Sequence, residues 1–151
     1  MATLAEITPA QKSAARMAAV QALYIVDMIG RPADKVVSDF LAGHMPEGAE
    51  GIDMNFDREL FKDIVSDATK RSADIDAALS ANLDAKWPLD RLEKIVRATL
   101  RAGCAEIFAG KAETPIVIND YVNVAHGFFE GKEPGLINAV LDKITKSLKA
   151  A

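Results

Sequence analysis

The chain contains a single cysteine, Cys104, and only two histidines, His44 and His126. One thiol excludes an internal disulfide and leaves no basis for a cysteine-rich zinc site. There is also no Glu-x-x-His pair of the kind that carboxylate-bridged metals use inside helical bundles. Long hydrophobic runs are missing: the longest, within "MAAVQALYIV", is too short to span a bilayer. No charged-then-apolar leader opens the sequence, so the expected location is the cytoplasm, with no membrane partner. Positive charge is in deficit as well. A formal net charge of −4 and a pI near 5.2 provide no global cationic field to gather nucleic acid, so such binding would need local basic spots or a basic partner. Sustained strand alternation is absent, which removes the strand-to-helix glycine loops that cradle phosphates.

What remains is helical. The 151 residues, half of them hydrophobic and 26% charged, suit one domain spanning 1–151 with a real core. Six prolines punctuate the chain, and the segments between them carry helical periodicity without internal repeats. Thr8-Pro9-Ala10-Gln11 is a helix start: threonine caps, proline suits the first helical position, and Gln11 closes the capping box. The first helix should run over 8–30 and stop at Gly30; apolar almost all round, it belongs at the centre of a bundle. A short helix over about Asp34 to Ala42 precedes a glycine-rich acidic loop at 43–56, expected to be flexible. Asp57 caps the next helix, and Ile75, Leu79 and Leu83 mark another. One helix is expected from Leu89 to Ala109, ended by Gly110, then one from Thr114 to near Gly131 and a last one from Pro134. The fold class is all-α, a single bundle of about seven helices.

Several constellations invite chemistry, and most have a plainer reading. Cys104 sits in a helix stripe, where a thiol is more often core than nucleophile. His126 shares a polar helix side with Asn119 and Asn123, too few ligands for a metal. Lys94, Arg97 and Arg101 repeat at i, i+3, i+7 with Arg91 nearby; such a line can track phosphates, although a solvated face paired with Glu93 or other acids is the favoured reading from the residues alone. Lys12 and Arg16 form an i, i+4 pair at the expected exposed start of the first helix, followed by Gln21 and Tyr24. A cationic helix start near an aromatic suits single-stranded RNA, while burial is the commoner fate of a tyrosine ring. In "GLINAVLDKI", Asn138, Asp142 and Thr145 run along the margin of the stripe Ile137, Leu141, Ile144, where a half-buried amide would lock this helix to a neighbour.

Four segments, in order, resemble the NusB family of transcription antitermination factors. "AARMAAVQALY" is similar to the family's first helix, and "LDRLEKIVRATLRAGCAEI" to its Leu-Arg and Glu-hydrophobic helix. "TPIVINDYVNVAHGFF" and "GLINAVLDKI" match the Ile-Asn-Glu segment and the closing Val-Asn-Gly-Val-Leu-Asp. The likeness covers about Lys12 to Lys146. It implies an all-helical, non-enzymatic RNA-binding factor without cofactor or metal. Such a factor pairs with NusE, a protein of the small ribosomal subunit, and the pair binds boxA RNA within the RNA polymerase antitermination complex, chiefly on ribosomal operons. The family's arginine-rich opening is thinned here to Lys12 and Arg16, so RNA affinity of the chain alone is expected to be weak and salt-dependent. By the same resemblance Gln21, Tyr24, Arg101, Phe128 and Lys132 join the expected RNA face, with Phe128 beside a cation suited to base stacking. His126 replaces the usual lysine, Gly103-Cys104-Ala105 a bulkier segment, and Ala139 the usual glycine. Two other functions fit the same residues: the N-terminal RNA-binding region of certain ribosomal-RNA cytosine methyltransferases, and a pure protein–protein adaptor. Monomer and homodimer are both open.

Overall fold

The computed structural model describes residues 6–44 and 55–150, and these form seven α-helices with one short 3-10 turn. Most of the expected loop, 45–54, lies outside the described residues. Helix α1, Pro9–Ile29, opens with the capping box in place: the Thr8 hydroxyl accepts from the Gln11 amide at 3.1 Å, and the Gln11 side chain accepts from the Thr8 amide at 2.8 Å. Gly30 ends it at φ +69°, donating its N–H to the Val26 carbonyl. Helices α2 (Ala33–Leu41), α3 (Arg58–Lys70) and α4 (Ser72–Asn82) follow, with Asp57 capping α3 through the Leu60 amide at 3.1 Å. Then come α5 (Lys94–Ala109), α6 (Thr114–Phe128) and α7 (Glu133–Ala150).

Two helices make the centre. Helix α1 packs on α2, α3, α5 and α6, as its nearly all-round apolar surface requires, and α5 packs on α1, α3, α4, α6 and α7. Both bury small side chains at their crossing faces (Ala15, Ala18, Ala19 and Ala22 in α1; Ala98, Ala102 and Ala105 in α5), which lets the backbones draw close. Gly103 shows how close. A Cβ there would lie 2.7 Å from Leu141 Cδ1 of α7, so the loss of the bulkier family segment at 103–105 is taken up by α7 itself. At the other end Phe40, Phe56 and Phe61 form an aromatic group, with ring centroids 5.5 Å and 5.2 Å apart. Phe56, assigned to the loop by its sequence, is thus core, 4% exposed.

Two boundaries differ from expectation. Leu89 to Ala109 is not one helix: Leu89–Arg91 is a 3-10 turn, and Leu92 and Glu93 are extended at ψ 149° and 143°. Extension swings the Leu92 side chain into the core, where it is 8% exposed, and no proline or glycine announces the break. Helix α6 stops at Phe128 rather than near Gly131, because Phe129 turns extended and packs its ring against the core. Among the described residues no helix is long and apolar enough to cross a membrane.

Cys104 is fully buried in α5, and burial pushes its thiol up to about 12 from an ordinary 9.0. Two consequences can be measured. The native chain should react with a thiol reagent at pH 8 no faster than it unfolds. Because the unfolded thiol ionises first, the stability held by the neutral thiol is complete below pH 9 and drains away as pH rises towards 12. Cys104→Ala should therefore flatten the alkaline fall of the urea midpoint over that window; an unaltered slope would exclude the thiol as its source.

Candidate nucleic-acid interface

The first cationic pair divides at once. Lys12 is exposed, but Arg16, four residues on, is 2% exposed, so the expected exposed pair is corrected to a single surface cation. The reason lies in two acidic neighbours from other helices. Arg16 Nε and Nη2 donate to the two carboxylate oxygens of Glu106 in α5 at 2.6 and 3.0 Å, and Nη1 donates to Asp120 Oδ2 in α6. Tyr121 donates its hydroxyl to Glu106 Oε1 at 2.7 Å, and Ser13 donates to Asp120 Oδ2 at 2.9 Å. Burial alone would weaken the guanidinium charge; the hydrogen bonds and charge of Glu106, then the bond from Asp120, outweigh it and hold Arg16 protonated. Burial, and next the Glu106 charge, drive the Tyr121 hydroxyl well above its usual range. This is a tie between α1, α5 and α6, and it offers no free donor to a phosphate.

The second cationic line is largely neutralised. Arg97 donates through Nε and Nη2 to Asp27 Oδ2 at 3.1 and 2.6 Å. Arg101 grips Asp76 with two parallel bonds of 2.9 Å, and its Nη1 lies 3.7 Å from Asp27 Oδ2. The solvated, acid-paired face is thus what the fold contains, although the acids are Asp27 and Asp76 rather than Glu93. Arg101 accordingly stands as an ion-pair member rather than an open phosphate contact. Lys94 keeps more freedom, with one long contact of 3.5 Å to the Asp27 carbonyl.

Three of the expected residues do converge. Gln21 and Tyr24 of α1 meet Phe128 at the end of α6 in a groove of about 480 Å³, also lined by Met28, Glu93, Lys94, Ile95 and Phe129. Phe128 is 42% exposed, and its ring centre lies 6.5 Å from that of Phe129. Tyr24 is half-buried with its ring against the core. Aromatic faces beside the Lys94 ammonium are the components of a stacking site for unpaired bases. Met28 was legible from the chain, being four residues beyond Tyr24 on the same helix face; Phe129 was not, since its orientation depends on where α6 stops. Lys132 lies outside this groove, in a neighbouring trough with Trp87 and Arg91.

The remaining motifs resolve plainly. Asn138 is exposed, so the expected amide lock is corrected; Asp142 pairs with Lys146 at 2.9 Å, and Thr145 donates to the Leu141 carbonyl of its own helix. A margin position in projection proved to be outside because α6, the neighbouring helix, leaves a shallow groove there, lined by Thr114, Asn119 and Asn138. His126 is exposed, and no group of three His, Cys, Asp or Glu side chains converges for a metal among the described residues.

Residues 13–146 match the model of the NusB family. The transcription antitermination protein NusB of Rhodospirillum rubrum is 40% identical over 157 residues, covering 92% of this chain and 85% of that protein. That of Gluconobacter oxydans is also 40% identical, with 92% and 89% covered. Among solved structures, the crystal structure of antitermination factors NusB and NusE in complex with dsRNA superposes with a TM-score of 0.74 at 25% identity, covering 89% of this chain and 96% of that one. NusB of T. maritima superposes with a TM-score of 0.76 at 21% identity over 93% of each chain, a likeness of fold.

Proposed function

The chain belongs to the NusB family, and from that premise we propose that it acts as a transcription antitermination factor. With NusE it binds boxA RNA and carries RNA polymerase through terminators in ribosomal operons. In this reading it is one domain of the bacterial cytoplasm, with neither a reaction nor a cofactor of its own. The observation that carries the RNA face is the groove of Gln21, Tyr24, Lys94 and Phe128, where aromatic surface and an ammonium group meet at one end of the bundle. Charge supports a shared site. The chain is anionic and spends Arg16, Arg97 and Arg101 on its own carboxylates, so a basic partner must bring the rest of the positive potential.

The test is assembly. Purified chain, NusE and a boxA-like RNA should form a ternary complex tighter than either binary one, and binding to the chain alone should fall steeply with salt. Equal affinity for a scrambled RNA would count against the reading. A finer check uses Lys12→Ala, which should weaken the ternary complex modestly and reduce the salt slope by about 0.7, the loss of one single-strand phosphate contact. An unchanged slope would move the phosphate path off the start of α1. The neutralised arginine line favours one rival, a protein adaptor; normal NusE binding without RNA protection would establish it instead.

A further inference from the structure

Beside the groove of Tyr24 and Phe128 lies a larger, mostly apolar trough of about 760 Å³, between the 3-10 turn and the connection from α6 to α7. We propose that this trough is a second base-binding subsite, selective for a nucleobase bearing an exocyclic amine; the inference rests on the RNA-binding reading above and extends it. Trp87 forms one wall with 56% of its surface exposed, and Leu92 and Leu136 contribute to the lining. A large bare indole over an apolar floor is a platform for one flat ring. Arg91 and Lys132 also line the trough and, unlike Arg97 and Arg101, make no ion pair among the described residues. They are placed to meet the phosphates on either side of a stacked base.

Selectivity comes from Glu133. Its Oε2 is buried from solvent and accepts no hydrogen bond, a costly state for a carboxylate oxygen. The carboxylate is seated over Gly131, where a Cβ would come within 3.0 Å of Oε2. The amino group of cytosine, adenine or guanine supplies the missing donor, whereas uracil would turn its O4 acceptor towards the same oxygen. An arginine or lysine from a protein partner could also pair with Glu133, but it would have to enter past two unpaired cations. The trough shares Glu93 with the Tyr24 and Phe128 groove, so a strand stacked there continues into it.

Trp87 is the only tryptophan, so its fluorescence reports this subsite alone. The full chain is titrated at low salt with labelled oligocytidine and oligouridine of about 12 nucleotides, within the usual site sizes. RNA anisotropy and tryptophan emission are followed together. Oligocytidine should bind roughly tenfold tighter than oligouridine, with quenching that tracks the anisotropy. Glu133→Gln, whose amide can also donate to O4, should abolish that preference. Trp87→Ala, at an exposed site that leaves the fold intact by circular dichroism, should weaken oligocytidine roughly tenfold. Binding with no change in tryptophan emission, or no preference between the two RNAs, overturns the subsite and leaves the RNA-binding reading standing. Loss of NusE binding in Trp87→Ala with RNA binding intact also overturns it and assigns the trough to protein. Failure to bind RNA even with NusE present defeats the functional reading itself.

Discussion

Arg16→Ala is expected to cost roughly 3–5 kcal/mol of folding stability, the usual effect of removing one partner from a buried ion pair. The substitution strands Glu106 and Asp120, at 6% and 15% side-chain exposure, without the cation that both face, and leaves Glu106 only the Tyr121 hydroxyl. For a chain of this length, that loss lowers the melting temperature by roughly 10 °C or more. Arg16→Lys should recover part of it, because one ammonium cannot present the fork that serves Glu106 through two nitrogens and Asp120 through a third. Thermal denaturation of the purified variants measures both. The same experiment separates bracing from binding: a normal melting temperature with collapsed RNA affinity would mean that Arg16 reaches phosphate after all.

Phe128→Ala should weaken RNA binding of the chain–NusE complex by about 1–3 kcal/mol, the range for one lost base–aromatic stack. Stability should hardly move, since the ring is 42% exposed and its nearest aromatic neighbour is Phe129 at 6.5 Å. Tyr24→Ala should lose a comparable amount of affinity but also some stability, because its half-buried ring packs against the core. If both rings hold the same base, the double variant will lose less than the sum of the single ones. Full additivity would assign them separate bases. Unchanged affinity in Phe128→Ala would remove this groove from the RNA path.

Helix positions were legible in the chain wherever capping and glycine chemistry marked them. Thr8, Gly30, Asp57 and Gly110 each sit at the expected end. The break at Leu92 was hidden because every residue from Leu89 onward tolerates a helix, and only the pull of Leu92 into the core decides otherwise. The cations misled for a related reason. Spacing placed Arg16, Arg97 and Arg101 in rows, but the carboxylates that claim them lie 25 to 104 positions away in sequence, beyond the reach of any local pattern. Gln21, Tyr24 and Phe128 converge because α1 and α6 pack side by side, which resemblance to a family could suggest and periodicity could not.

The three-helix tie also constrains how the chain can diverge. Changing Glu106 to an apolar residue strands a charge that only a matching change at position 16 would remove, and Asp120 would then be left in turn. Neutral drift through single steps is therefore closed at these positions. Substitutions there should arise together across descendants, or the whole set should pass at once to side chains of oil-like character.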